Sequence, residues 1–139
     1  MNSLNATITA VGGYVPEYVL TNKILESMVE TNDEWIVSRT GIKERRILKG
    51  NELGSSFLAI NAAKDLLAKK NIDPTTIDLV IVATATPDMQ AASTASYTAT
   101  QIGAINAFHL IWTPLVLVFF LECQWLQDIS SLVLTKKYY

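Results

Sequence analysis

A layered α/β domain is what this sequence predicts, on three observations. "LVIVATA", Leu79 to Ala85, is a continuous apolar run rich in valine and alanine, as expected of a parallel strand covered on both faces. "ELGSSFLAINAAKDLLAKK", Glu52 to Lys70, carries Leu53, Phe57, Ile60, Ala63 and Leu67 as a helical stripe, with lysines near its C-terminal end that suit the helix dipole. Strand and helix signals alternate around these two segments, the order of an α/β layer.

Each element has its own signal. "NATITAVGGYVP" predicts a short strand from about Ala6 to Val11, turned by Gly12, Gly13 and Pro16. Asn22 is placed to cap a helix whose apolar residues Ile24, Leu25, Met28 and Val29 recur at spacings of three and four. In "TNDEW", Thr31 and Glu34 have the spacing of a capping box, each side chain serving an orphaned backbone N–H. A short helix through Arg39 comes next, ended by Gly41, and "IKERRIL" reads as an exposed strand or hairpin arm. "NIDPTTID" connects the long helix to the valine-rich strand, "TPDM" turns, and "STASYTATQIG" is a small-residue helix closed by Gly103.

The 139 residues suit one domain, half are hydrophobic, 17% are charged, and the net charge is −2, a globular composition rather than a disordered one. No basic stripe points to nucleic acid. The N-terminus lacks the cationic start and apolar core of a secretory signal, so the expected compartment is the cytoplasm. One cysteine and one histidine make neither an internal disulfide nor a metal-ligand cluster. The apolar run Leu110 to Leu121 has 12 residues and contains Pro114, whereas a spanning helix needs about 20. A spanning helix is therefore not expected of it, and a buried strand is the ordinary reading.

The segment most suggestive of chemistry is "TNDEWIVSRTGIKERR". Trp35 and Arg39 are four apart on one helix face, where an indole and a guanidinium can clamp a flat ring such as adenine. Arg45 and Arg46 are candidates for phosphate contacts. The competing description is an amphipathic helix with a packed tryptophan and a solvated arginine.

"GGYVPEYVLTN", "TNDEWIVSRTGIKERR" and "DLVIVATATPD", in this order and spacing, resemble the N-terminal part of β-ketoacyl-acyl-carrier-protein synthase III, from about Ile8 to Phe108. "DEWIVSRTGI" is the most specific of the three. The resemblance implies a thiolase-like layered α/β fold of which this chain holds part of the N-terminal half, in a family that is usually homodimeric. It implies no permanently bound cofactor. A short acyl-CoA primes an active-site cysteine, which then condenses decarboxylatively with malonyl-acyl-carrier protein. By the same match Trp35 stacks on the CoA adenine, Arg39 holds the nucleotide end, and Thr31 lies beside them. Ala91 and Ala92 stand where the family carries a bulky residue and a proline, a departure that bears on primer size.

After Phe108 the pattern changes. No glycine occurs beyond Gly103, although the chain has six, and two of its three tryptophans lie past this point. The family's next motif, F-D-L-x-A-A-C-x-G-F, is not written. Cys123 sits after an acidic residue, Glu122, which disfavours thiolate, and before bulky Trp125, so it reads as a non-catalytic thiol. The genetic code suggests a cause. If one base were lost just before the His109 codon, the family frame would take the last base of each written codon with the first two of the next. Trp112 and Thr113 are then forced to aspartate. Thr113 to Leu115 permits Ala-Ala, Leu115 with Val116 permits Cys, Leu117 with Val118 permits Gly, and Leu121 to Cys123 permits Gly-Met. The permitted reading is F-D-L-D-A-A-C-x-G-F.

The expectation is thus a partial thiolase-like domain over residues 1–108 and an aberrant, frameshifted hydrophobic tail over 109–139 that ends at an early stop. The family's catalytic cysteine is missing as written, its histidine and asparagine belong to a second half, and turnover is not expected. Two other functions compete: a binding or membrane-associated module using Leu110 to Leu121, and a nucleotide binder that keeps Trp35 and Arg39 without catalysis.

Overall fold

The computed structural model describes residues 7–50, 54–88 and 93–112. In chain order the elements are β1 (Val19–Thr21), α1 (Asn22–Glu26), α2 (Asp33–Thr40), β2 (Glu44–Arg46), α3 (Gly54–Lys70), a 3₁₀ turn (Pro74–Thr76), β3 (Leu79–Ala83), α4 (Thr94–Ile102) and β4 (Phe108–Trp112). Among the described residues they form two small sheets, β1 antiparallel to β2 and β3 parallel to β4.

The β3–α4–β4 unit is the layered α/β core. Ser93 caps α4 by accepting the Ser96 N–H at 3.2 Å, and Gly103 ends it in the left-handed conformation at φ 86°, which glycine adopts without a Cβ penalty. The buried face of α4 is Thr94, Ala95, Thr98, Ala99 and Ile102, at helical spacing. Mostly small side chains let the helix lie close to its neighbours. Ala99 and Ile102 meet Ile60 of α3 with Ala104 and Ala107, and Ala63, Leu67, Ile77 and Val80 close around them.

Val80 of β3 belongs to that cluster and Val82, two residues on, is buried, so this face of β3 lies against the helices. Leu79 and Ile81 point the other way and stay half-buried. Their register partners are Phe108 and Leu110, and Phe108 is 82% exposed. Among the described residues, the strand expected to be covered on both faces is therefore packed against helices on one. β4 itself runs across the boundary expected at Phe108, with His109 opposite Val80 and Ile111 opposite Val82. A ladder is made by backbone groups, so it accommodates a side-chain sequence of any origin.

Loop contacts tie the long helix to this unit. Asp88, in the turn after β3, accepts the Ser56 N–H at 2.9 Å near the start of α3, and Ser55 Oγ donates to the Thr86 carbonyl at 2.6 Å. Asp73 accepts the Thr75 N–H at 2.9 Å and starts the 3₁₀ turn, where Pro74 needs no donor. Asn106 reaches back to the Thr75 carbonyl at 3.1 Å.

The structure corrects the reading of the first thirty residues. Residues 7–11 form no strand, and Ile8 and Val11 are 71% and 75% exposed. A strand exists by pairing, and neither sheet takes this segment as a neighbour, whatever its propensity. Gly12 is less a turn residue than a contact: a Cβ there would lie 2.6 Å from the Ala62 carbonyl oxygen and from Leu66 Cβ on α3. The next amide, Gly13 N–H, donates to Asp65 at 3.0 Å. The first helix is also shorter than its periodicity predicts. Ser27 turns its N–H and its hydroxyl onto the Ile24 carbonyl, at 3.1 and 2.6 Å, and closes the helix after Glu26. Met28 and Val29 are left exposed.

Candidate nucleotide site

The candidate residues Thr31, Trp35 and Arg39 lie on α2 and the residue pair before it. Asn32, not Thr31, caps this helix: its backbone is extended at φ −147°, and Oδ1 accepts the Trp35 N–H at 2.8 Å. The expected reciprocal pair of Thr31 and Glu34 is not formed. Glu26 of α1 takes the second role instead, accepting the Asp33 N–H at 2.7 Å. Asparagine caps as well as threonine, and the neighbouring helix supplies a carboxylate in the right place. At the other end Gly41 adopts φ 70° and donates its N–H to the Val37 carbonyl at 2.9 Å, ending the helix where the sequence predicts.

Ile36 is the one buried residue of α2, and the indole of Trp35 is 56% exposed on the outer face. One turn on, the Arg39 guanidinium carbon lies 5.7 Å from the centre of the Trp35 ring, within cation–π reach. Glu30, Thr31, Asn32 and Trp35 line a cavity of about 280 Å³. The structure thus brings Thr31 and Trp35 to one concavity and sets Arg39 against the ring from beyond its lining. Trp35 is neither packed away nor isolated. It is a flat apolar face with a cation at one side.

Arg45 and Arg46 serve another purpose. Arg45 Nη1 donates to Asn22 Oδ1 at 2.8 Å, and Arg46 Nη1 reaches the Pro16 and Glu17 carbonyls at 3.4 and 3.3 Å. These contacts tie β2 to the first residue of α1 and to the loop before β1, so the two arginines act as braces and are not grouped with Trp35. Sequence reasoning missed the residue at the centre of this network. Asn22 is not the cap of α1, a role Thr21 takes by accepting the Ile24 N–H. It is 1% exposed, and its amide donates to Asp33 Oδ1 at 2.7 Å and to the Ile42 carbonyl at 2.8 Å. A Thr-Asn pair before a helix signals a cap from either residue, and only the fold shows which one turns inward. Ala91, Ala92 and Cys123 lie outside the described residues, as does the tail from residue 113 on.

No family model matches the chain. Among curated proteins, the β-ketoacyl-[acyl-carrier-protein] synthase III 2 of Bacteroides thetaiotaomicron is 56% identical over 108 residues, which is 78% of this chain and 32% of the relative. The synthase III of Lactococcus lactis is 52% identical over 103 residues, 74% of this chain and 31% of the relative. Among solved structures, 3-oxoacyl-[acyl-carrier-protein] synthase III from Aquifex aeolicus superposes with a TM-score of 0.67 at 44% identity, covering 74% of this chain and 33% of its own. The chain carries an N-terminal part of the β-ketoacyl-acyl-carrier-protein synthase III family. It spans about a third of the length of the synthase III relatives it matches. The fold is accordingly thiolase-like α/β in part. No helix among the described residues is long and apolar enough to cross a membrane.

Proposed function

We propose that this chain comes from a synthase III that primes fatty acid synthesis from a short acyl-CoA and malonyl-acyl-carrier protein, and that it keeps one end of the CoA site without the condensing centre. The observation that carries the reading is the exposed Trp35 ring with the Arg39 guanidinium 5.7 Å from its centre, on a helix capped at both ends. The ring offers its face to adenine, and the guanidinium offers two-pronged hydrogen bonds to the nucleotide phosphates. Thr31 adds a hydroxyl at the cavity wall. Glu30 lines the same cavity, and its charge favours an orientation in which the phosphates run toward Arg39.

The condensing step needs a thiolate where strand β4 should lead into a nucleophile helix, and the residues written there contain no such motif. The reading frame accounts for this: a one-base loss upstream of the His109 codon turns the family motif into the written tail. Residues 1–108 are then the inherited domain and 109–139 its out-of-frame continuation. Acyl-carrier protein, a homodimeric partner and a cytoplasmic setting belong to the intact parent on this reading.

Calorimetric titration of the full chain with CoA tests the site. Saturable binding that weakens about tenfold or more in Arg39→Ala supports it, as expected for loss of a charge-assisted pair. No measurable heat at millimolar CoA removes it. Condensation of acetyl-CoA with malonyl-acyl-carrier protein is expected to be absent, and turnover would contradict the assignment. A nucleotide binder without catalysis is the same molecule under this reading. A membrane or partner module built on Leu110 to Leu121 requires association that vanishes when residues 109–139 are deleted.

A further inference from the structure

We infer that Asn22 is the positioning residue of the nucleotide site, holding α2 at the angle that presents Trp35 and Arg39; the inference rests on the site reading above. The argument begins with what α2 lacks. Only Ile36 is buried along its eight residues, so apolar packing does little to fix rotation of the helix about its own axis. The setting must come from polar ties. The buried tie is Asn22, whose side-chain amide donates to Asp33, the first residue of α2, and to the carbonyl of Ile42, just past the glycine that ends it. One amide therefore grips the chain on both sides of the Trp35–Arg39 turn.

The grip is itself held. Asn22 Oδ1 accepts from Arg45 Nη1 at 2.8 Å, and the Asn22 backbone N–H donates to the Lys43 carbonyl at 3.2 Å. Both donor hydrogens of the amide and one acceptor site are used, which fixes the orientation of the side chain. Asn32 and Glu26 satisfy the first turn of α2 but stand on exposed surface. Asn22 alone among these groups is shielded from water, where a hydrogen bond holds its geometry best.

A polarity swap tests the link in the full chain. Asn22→Asp places a carboxylate against Asp33 and removes both donors, so CoA binding should weaken about tenfold and the Trp35 indole N–H resonance should move. Asn22→Asp combined with Asp33→Asn restores a donor facing an acceptor on the Asp33 side, while the Ile42 carbonyl stays without its donor, and should recover part of the affinity and move the resonance back toward its original position. A purely structural role predicts a lower melting temperature with affinity and resonance unchanged well below it. That outcome, or a double variant no better than the single one, overturns the inference. Arg45→Met, which releases the amide oxygen without adding charge, gives the same two readouts should Asn22→Asp not fold. If the unsubstituted chain binds no CoA, the nucleotide reading falls, while the indole resonance still decides whether Asn22 sets the ring.

Discussion

Asn32→Ala removes the oxygen that receives the Trp35 N–H and is expected to cost about 1 kcal/mol, whereas Thr31→Ala should cost no more than a few tenths. Urea unfolding of the two variants places the cap, and the reverse order would restore the capping box that the sequence suggests. Asn22→Ala is the heavier loss. It strands Asp33, the Ile42 carbonyl and Arg45 together, and about 3 kcal/mol is expected by the same measurement. Single residues are where the sequence is least legible. Thr31, Trp35 and Arg39 stand out because an aromatic and a cation four apart on a helix have a direct chemical meaning, and because the surrounding motif is specific. Asn22 reads wrongly as a cap because caps and buried keystones use the same residue types. Arg45 and Arg46 look like phosphate ligands because two adjacent cations on a strand read as free for use until the Asn22 side chain beside one and the Pro16 and Glu17 carbonyls beside the other are known.

Segment Gly12–Gly13 shows how an element depends on what it touches. Gly12→Ala would bring a methyl against the α3 backbone, so it should be clearly destabilising, while at Gly13 nothing lies within 4 Å of an added Cβ and the same change should be mild. Equal effects at the two positions would show that this segment does not pack on α3. Asp65 joins the two elements and carries a pH signature. Its carboxyl is held below the ordinary aspartate range, first by the hydrogen bond from Lys69 and then by the Gly13 N–H. A lowered folded value means that the tie is intact at neutral pH and is lost as pH falls through that value. The Gly13 amide resonance should therefore titrate at a more acidic pH than an isolated aspartate, and a normal midpoint would break the assignment. Helices α2 and α4 are legible from the glycines that end them, α3 from its stripe, β3 from its apolar run, and β2 as the exposed arm in IKERRIL. The strand over 6–11 and the length of α1 are not, because propensity names a conformation and only neighbours supply its pairing and its end.

At the scale of the molecule, one face of the β3–β4 sheet is open among the described residues. Phe108 is 82% exposed opposite Leu79, and Ile8, Val11 and Ile105 add apolar surface of their own. Exposed apolar area of this kind favours association, so sedimentation should show associated material in place of a single monomer. A monodisperse, cooperatively unfolding monomer would count against the fold as an incomplete layer. The α/β class is legible because strand and helix signals alternate, and the family is legible because its motifs fall in order up to Phe108. The proposal that the chain leaves the synthase III frame at His109 is tested most directly by the base sequence from the Phe108 codon to the Val118 codon. A one-base loss predicts a Leu115 codon ending in T, which with the GT of Val116 spells cysteine, and a Leu117 codon ending in G, which with the GT of Val118 spells glycine. Any other base at either position contradicts the claim that the synthase III frame was lost at His109.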